Sequence, residues 1–236
     1  MSTIQRIKSG IPGFDAITNG GLVKNSINLV TGGTGTGKTI FGLQYLFHGA
    51  KDCNEKGIYI SLEESEEELK DDAREIGMNF NEVAKKVKFI CLSPYDTSDL
   101  ASIFKPSVLK HEIESFKPCR IVIDSVTALV MGLENNFERK KEIYTLSRML
   151  KEMDCTTLLL SEIPSESALS TSSGSFSRYG VEEFLCDSVI MLHYMGIGGE
   201  SDRALRVIKM RRTRHVRGPV PMAIGSCGVK ILKQKF

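Results

Sequence analysis

Hydrophobic and polar positions alternate along the chain with two different periods, which together predict strands followed by helices. Short apolar runs are typical of strands that are buried on both faces of a sheet, and they cover Ile27–Thr31, Gly57–Leu62, Val87–Leu92, Arg120–Asp124, Thr156–Ser161 and Ser188–His193. Apolar positions three or four residues apart predict helices over Lys38–Ala50, Glu66–Ile76, Ser107–Phe116 and Phe137–Met153. This order predicts an α/β fold with a mostly parallel sheet flanked by helices.

The carboxyl-terminal part of the chain has a different pattern. Ala204–Met210, Pro221–Ile224 and Val229–Leu232 are short apolar runs separated by turn residues, and such runs predict short antiparallel strands. Repeats, low-complexity tracts and linkers are absent from the sequence, so we expect residues 1–236 to form a single domain.

One segment interrupts the alternation of strands and helices. Ser165–Arg178 is rich in serine and has few residues to bury, which predicts a mobile loop. Long loops inside compact domains are often functional, so both a functional loop and a plain solvated connector fit this segment.

The composition is that of a globular protein, with 41% hydrophobic and 25% charged residues. The sequence has no apolar run long enough to span a membrane, and the first ten residues lack the apolar region of a signal peptide. We therefore expect a cytoplasmic protein with no membrane partner. The cysteines are scattered without a CxxC pair, so we expect small buried hydrophobes rather than zinc ligands or disulfides.

Charge is distributed unevenly along the chain. Ser201–Phe236 contains ten Lys and Arg residues and one acid, a balance of +9, so the remainder carries about −7 of the net charge of +2. A basic end of this kind suggests contact with phosphate or with an acidic surface.

The strongest chemical signal is a phosphate-binding loop. Gly32-Gly-Thr-Gly-Thr-Gly-Lys-Thr39 fits the pattern G-x-x-x-x-G-K-[ST], with a predicted strand before it and a predicted helix after it. Glycines let successive backbone N–H groups point at phosphates, and the helix start adds its positive dipole end. Lys38 is expected to reach the β- and γ-phosphates of ATP, and the Thr39 hydroxyl to ligate Mg²⁺.

Two further acidic positions could complete such a site. Arg120–Asp124 is an apolar strand that ends in a carboxylate, the form of a Walker B motif, and Asp124 would hold the metal through water. Many buried strands also end in Asp, so this pattern alone is weak. Glu63 and Glu64 follow another predicted strand and could orient a water molecule. They could equally mark the start of the acidic helix that follows.

Several motifs in their order along the chain resemble the KaiC family of RecA-like ATPases. Besides the phosphate-binding loop and the Glu63–Glu64 pair, they are Gly10-Ile-Pro-Gly-Phe-Asp15, Gly20-Gly-Leu22, Ile123-Asp-Ser-Val-Thr127, Arg178-Tyr-Gly-Val-Glu-Glu-Phe184 and Lys209-x-Arg211-x-Thr213-x-His215. The resemblance runs nearly end to end and covers one KaiC-type domain, whereas the clock members of the family carry two in tandem. It implies a RecA-like P-loop NTPase core with short antiparallel carboxyl-terminal strands.

The resemblance also implies roles for particular residues. Glu63 and Glu64 would be the catalytic glutamates, and Lys209 and Arg211 would reach the γ-phosphate of a neighbouring subunit in a homohexameric ring. ATP and Mg²⁺ would be the cofactors, with Thr39 and Asp124 at the metal. The nucleotide would contact Gly33, Thr34, Gly35, Thr36, Gly37, Lys38, Thr39, Ile40, Lys209, Met210, Arg211, Thr213 and His215.

The chain departs from the family pattern in informative places. Glu183 and Phe184 stand where the second domain of the clock proteins phosphorylates itself, so autokinase activity is not expected. Ile163 replaces an arginine that follows the strand Thr156–Ser161 in those proteins. Arg212, Arg214 and Arg217 add charge beyond what a residue acting in trans requires.

These features favour a ring-forming ATPase that switches or times interactions with a protein partner. The alternative is a DNA-binding RecA-like recombinase paralogue, in which Arg212, Arg214 and Arg217 contact phosphates. The Ser165–Arg178 segment offers only Phe176 and Arg178 for contact with single strands, which disfavours this alternative. A protein kinase acting on partners is a third hypothesis, for which the sequence shows no substrate-positioning motif.

Overall fold

The protein is described by a computed structural model that covers residues 4–92, 106–131, 133, 135–163, 176–180, 182–194, 196 and 202–232. Its centre is a nine-stranded sheet with the strand order β11-β10-β9-β8-β3-β7-β6-β4-β5. These strands are β3 (Ile27–Gly32), β4 (Gly57–Ser61), β5 (Val87–Cys91), β6 (Arg120–Asp124), β7 (Thr156–Glu162), β8 (Ser188–Tyr194), β9 (Arg203–Met210), β10 (Val220–Gly225) and β11 (Gly228–Ile231). A separate two-stranded sheet pairs β1 (Arg6–Ile7) with β2 (Leu22–Val23).

Helices cover the two faces of the central sheet. They are α1 (Phe14–Ile17), α2 (Lys38–Asp52), α3 (Glu66–Glu75), α4 (Pro106–Phe116), α5 (Val126–Val130), α6 (Asn136–Glu152) and α7 (Glu182–Leu185), with a 3-10 turn over Phe80–Val83. Because successive strand residues face opposite sides, the core divides into two clusters. Val30, Tyr59 and Val122 pack on the side of α2 and α3, whereas Leu29, Ile60 and Ile123 pack on the side of α4 and α6.

Strand direction places the ends of the parallel strands at one edge of the sheet. β3 pairs in parallel with β7 and β8, and β4 pairs in parallel with β5 and β6. Gly32 lies beside Glu162 and Leu192, and Asp124 lies beside Ser61 and Leu160. We call this side the carboxyl edge, and the opposite side, where β3 begins, the amino edge. Ligands of open α/β sheets bind at the carboxyl edge.

The structure confirms the predicted fold class and the predicted helices and strands, with ends that differ by up to two residues. The antiparallel strands of the carboxyl-terminal part are confirmed as β9, β10 and β11. Pattern analysis missed β1, β2, α1, α5, α7 and the 3-10 turn, because two to five residues are too few to show a period. Most of the Ser165–Arg178 segment lies outside the described residues.

Two further expectations concern the burial of the cysteines and the absence of a membrane-spanning segment. Cys155 and Cys186 are buried as expected, whereas the expectation is wrong for Cys53, Cys119 and Cys227, which are exposed. These three occupy connections between elements rather than strand interiors. Among the helices of the described ranges, none combines the length and the apolar composition needed to cross a membrane.

Candidate functional site

The phosphate-binding loop joins the end of β3 at Gly32 to the start of α2 at Lys38. Gly35 and Gly37 have φ values of +72° and +96°, a conformation that side chains with a Cβ rarely adopt. Gly37 caps α2 without a side-chain hydrogen bond to the first turn. The first N–H groups of α2 are therefore not capped by a side chain, as an anion-binding helix start requires.

Lys38 lies folded over this loop. Its Nζ donates hydrogen bonds to the carbonyls of Gly32 at 3.1 Å and Gly33 at 3.0 Å. Burial lowers the pKa of Lys38, while Glu162, Asp124 and Glu63 act in the opposite direction. A partly desolvated ammonium group therefore sits among carboxylates directly beside the glycines of the loop.

Thr39 and Asp124 meet where α2 starts and β6 ends. The Thr39 hydroxyl donates to Asp124 Oδ2 at 2.8 Å, and the Tyr59 hydroxyl donates to the same oxygen at 2.6 Å. Burial raises the pKa of Asp124, and the two hydrogen bonds offset part of that rise. Neither bond uses Oδ1, so the second carboxylate oxygen remains for a metal ion or its water.

Glu63 and Glu64 lie just after β4, and the start of a helix does not account for them. Ser65 caps α3 in a reciprocal capping box with Glu68, and α3 begins at Glu66, after the pair. Glu63 Oε1 accepts a hydrogen bond from Ser125 Oγ at 2.6 Å. The pair therefore precedes the helix, and Glu63 is tied to the end of β6.

Glu64 is in an unusual electrostatic environment. Its Oε2 is buried and has no hydrogen-bond partner in the described part of the chain. Burial, followed by the charge of Asp124 and other nearby acids, raises the pKa of Glu64 to about 7. A carboxyl group of this kind can hold or release a proton near neutral pH.

These residues fit a magnesium ion. Thr39 and Asp124 offer the oxygen atoms that Mg²⁺ prefers, and Mg²⁺ is usually held by one or two carboxylates together with phosphate and water. Several carboxylates lie close together here, and after burial their charges are the further cause that raises the pKa of Glu64. A divalent cation would relieve this repulsion.

The other predicted nucleotide contacts lie far from this loop within one chain. The backbone N–H of Arg211 donates to Asp187 O, and the N–H of Asp187 donates to Ile27 O, at the start of β3. Five residues separate Ile27 from Gly32, which is about 16 Å at roughly 3.3 Å per residue. The structure therefore places Arg211 at the amino edge and the phosphate-binding loop at the carboxyl edge.

The neighbours of Arg211 make contacts of their own at this edge. Lys209 Nζ donates to Glu183 O at 2.9 Å, and Thr213 Oγ1 accepts from Arg6 at 2.9 Å. His215 Nδ1 lies 2.9 Å from Val216 O. The Met210 side chain is buried in the core, so only its backbone is available to a nucleotide. Ile40, the remaining predicted nucleotide contact, lies instead in the first turn of α2, beside the phosphate-binding loop, and its side chain packs against the same core.

Sequence reasoning missed Arg203, which contacts the loop from outside. Its Nη1 donates a hydrogen bond to Gly35 O, and its guanidinium carbon lies 4.0 Å from the centre of the Tyr194 ring. Arg203 and Tyr194 are cross-strand partners in the β8–β9 pairing. Ile224 of β10 is also close, because a Cβ on Gly37 would come within 2.5 Å of its Cδ1. The signal in the sequence is only an Arg in an ordinary basic stretch.

A buried polar network behind the site was also missed. The hydroxyl oxygens of Ser161, near the end of β7, and Thr127 lie 3.1 Å apart. The Thr127 hydroxyl oxygen accepts a hydrogen bond from the backbone N–H of Glu162 at 3.0 Å. Glu182 is fully buried and is joined to Ser161 and Ser177. Ile163, where the family pattern has an arginine, is buried. The polar residues Thr127 and Ser161 in apolar surroundings were the available signal.

Comparisons with known proteins agree with this geometry. The family model described as "ATPase: KaiC" matches residues 7–236. The circadian clock oscillator protein KaiC of Parasynechococcus marenigrum is 35% identical over 97% of this chain, which covers 45% of that protein. The corresponding protein of Synechococcus elongatus is 31% identical over 97% of this chain. The chain thus spans about half the length of these curated relatives.

A solved structure gives the same result for a protein of similar length. The crystal structure of a KaiC-like protein from Pyrococcus horikoshii OT3 matches with a TM-score of 0.82 and 33% identity, covering 98% of this chain and 100% of the other. Family model, relatives and structure therefore agree with the resemblance that the motifs indicated. The chain belongs to the KaiC family of RecA-like P-loop ATPases.

Proposed function

We propose that the chain binds ATP with Mg²⁺, hydrolyses it within a homohexameric ring, and thereby switches or times interactions with protein partners. The hydrogen bond between Thr39 and Asp124 carries this proposal. It joins the first turn of α2 to the end of β6 at 2.8 Å. Phosphate loop, hydroxyl and carboxylate therefore meet at one point of the carboxyl edge, as P-loop ATPases require.

Each group at this edge has a defined task. The backbone N–H groups from Gly33 to Ile40 bind the phosphates, and Lys38 leaves the carbonyls of Gly32 and Gly33 to meet the β- and γ-oxygens. Thr39 and Asp124 would hold the metal. The bound Mg²⁺ would neutralise charge on the phosphate oxygens.

Glu63 and Glu64 divide the work on the attacking water. The Ser125 hydroxyl donates to the Glu63 carboxylate at 2.6 Å and fixes its position. Glu63 therefore orients the water molecule and does not take its proton. Glu64 has a buried oxygen with no hydrogen-bond partner in the described ranges and a pKa of about 7, so it accepts the proton that water gives up.

The experiment compares two pairs of adjacent acids. Replacing Glu63 and Glu64 by Gln should lower the ATPase rate about 10²- to 10⁴-fold while ATP binding survives. The matched control replaces Glu66 and Glu67, in the exposed first turn of α3, and should keep the rate of the wild type. Similar rates in the two double variants would remove the glutamates from the mechanism.

Lys209 and Arg211 act on the nucleotide of a neighbouring subunit in this proposal. About 16 Å of sheet separates the level of Arg211 from the phosphate-binding loop of the same chain. A head-to-tail ring brings the amino edge of one subunit to the carboxyl edge of the next. Arg211 would then stabilise charge on the transferring phosphoryl group, with Lys209, Thr213 and His215 beside it.

The protein partner is preferred over DNA for a structural reason. Arg212 lies 3.5 Å from Asp187 Oδ1, so one of the three arginines that the DNA-binding alternative needs is already paired. Salt-sensitive stimulation of the ATPase by single-stranded DNA would reverse this preference.

A further inference from the structure

Tyr59 reaches the carboxylate of Asp124 from inside the core. It lies on β4, opposite Val122 of β6, while Asp124 lies two residues further along β6, opposite Ser61. Tyr59 and Val122 both face α2. The ring extends along this face towards the carboxyl edge, and the hydroxyl donates to Asp124 Oδ2 at 2.6 Å.

Packing fixes the position of this ring. Tyr59 is fully buried, and its ring stacks on Phe89 of β5 with 5.8 Å between the ring centres. On the other side α2 passes close by, because a Cβ on Gly42 would lie 3.5 Å from Tyr59 Cε2. A side chain held on both sides delivers its hydroxyl to one place.

The direction of this hydrogen bond follows from the two groups. The phenol has a proton to donate, and the carboxylate oxygen of Asp124 accepts it.

We infer that Tyr59 is a positioning residue for the metal site, whose phenol fixes Asp124 through Oδ2 and leaves Oδ1 for the hydrated Mg²⁺ ion. Thr39 also donates to Oδ2, but its oxygen is itself a proposed metal ligand. Among the described donors to Oδ2, Tyr59 is the one that has no second task. Partners that orient a metal-binding carboxylate commonly contribute about 10- to 100-fold to metal affinity.

This inference rests on the proposed function, and a matched pair of variants separates the two. Tyr59→Phe removes one hydroxyl and keeps the stacked ring. Tyr45→Phe is the control, because Tyr45 is also fully buried and donates one hydrogen bond, at 2.9 Å, to the backbone carbonyl of Thr156. Circular dichroism and Tm of both variants are compared with the wild type first.

Metal affinity is then measured without turnover. Each protein is loaded with a non-hydrolysable ATP analogue, the free analogue is removed, and Mn²⁺ is titrated while electron paramagnetic resonance reports the free ion. We expect the dissociation constant for Mn²⁺ to rise about tenfold in Tyr59→Phe and to stay unchanged in Tyr45→Phe.

The outcomes are distinguishable. Equal Mn²⁺ affinity in Tyr59→Phe and the wild type would overturn the role of Tyr59 and leave the proposed ATPase intact. An equal loss in both variants would assign the effect to general packing and also overturn it. A wild-type protein that holds the analogue but binds no Mn²⁺ in the titration would overturn the proposed metal site, and with it this inference.

Discussion

Charge is distributed differently at the carboxyl edge and at the amino edge of the central sheet. At the carboxyl edge, the negative charges of Glu63, Asp124 and Glu162 act on the ammonium group of Lys38, and Glu162 also lies 3.7 Å from Arg178. Glu64, beside them, has a buried oxygen without a hydrogen-bond partner among the described residues. At the amino edge, Asp187 lies 3.3 Å from Lys151, 3.5 Å from Arg212 and 3.9 Å from Arg211.

Around Asp124 the acids therefore outnumber the cations that contact them, whereas around Asp187 the cations outnumber the acid. The carboxyl edge needs a cation to relieve its carboxylates, and the amino edge offers three cations to one carboxylate. A monomer cannot combine them, because the two edges face away from each other. A ring in which the amino edge of one subunit meets the nucleotide of the next satisfies both, and electrostatic complementarity of this kind also fixes the orientation of assembly.

Breaking the amino edge should produce the largest effect. Arg211→Ala removes a cation that we propose to act on the neighbouring γ-phosphate, so the ATPase rate should fall about 10³- to 10⁵-fold while ATP still binds. Arg148→Ala is the control, because Arg148 is exposed on α6 and pairs only with Glu152 in the described contacts. Rates and nucleotide affinities of both variants are measured at the same degree of assembly.

Mixing two inactive proteins tests the direction of this action. Arg211→Ala combined with the variant that has Gln at positions 63 and 64 forms some interfaces in which intact glutamates meet an intact Arg211. Activity should partly return if Arg211 acts in trans. Unrestored activity in demonstrably mixed rings would place Arg211 at its own nucleotide, and a monomer as active as the assembly would exclude the ring.

Relieving the carboxyl edge should change stability in a pH-dependent way. The pKa of Glu64 rises from 4.5 to about 7 on folding, so the folded state binds more protons than the unfolded state between these values. Stability should therefore fall as the pH rises through this window. Because Glu64 is partly exposed, we expect roughly 1–2 kcal/mol, about half of what the shift alone implies.

Urea unfolding between pH 4.5 and pH 8 measures this effect. Glu64→Gln should be more stable than the wild type at pH 8 and should lose this part of the pH dependence, whereas Glu66→Gln should retain it. ATP with Mg²⁺ should also remove it in the wild type, because the cation stabilises the ionised form. A Glu64→Gln variant with the same pH profile as the wild type would show that the carboxyl edge is not strained by charge.

The fold was predictable because strand burial and helix periodicity leave strong traces in the sequence. Arg120–Asp124 is apolar apart from its ends, and Ile27–Gly32 is mostly apolar, with Asn28 and Thr31 as its polar members. The glycines between Gly32 and Lys38 are typical of a phosphate-binding loop. Elements as short as α7 leave no period to detect. Pattern analysis therefore gave the framework and missed the short connections.

The site was only partly predictable, since sequence motifs report residues that act on the ligand better than those that support them. Lys38, Thr39 and Asp124 follow a known spacing, and the structure brings them together. Tyr59 supports Asp124 through a diagonal contact between strands, which depends on sheet order rather than on spacing. Arg203 reaches Gly35 from 168 positions away, a relationship that one sequence does not reveal.

The smallest expected effect concerns Arg203, a cation at the carboxyl edge that is used on a backbone carbonyl. Its guanidinium is bonded to Gly35 O and stacked on Tyr194. In the described hydrogen bonds and ion pairs it contacts none of the acids of this edge, which are Glu63, Glu64, Asp124 and Glu162. It therefore does little to correct the charge imbalance. We expect it to hold Gly35, at φ +72°, in the conformation that directs the N–H groups of the loop towards the phosphates.

A partly exposed hydrogen bond of this kind contributes about 1 kcal/mol, so Arg203→Gln should weaken ATP binding about fivefold. Arg206→Gln is the control, because Arg206 lies on the same strand but is exposed. Isothermal titration calorimetry with ATP and with ADP separates two explanations for a loss of affinity in Arg203→Gln. If Arg203 shapes the loop, both nucleotides lose affinity equally, since the loop contacts the phosphates that they share. If Arg203 instead supplies charge to the γ-phosphate, ATP alone loses affinity. A cation of the same subunit would then act on the γ-phosphate together with those of the neighbouring subunit.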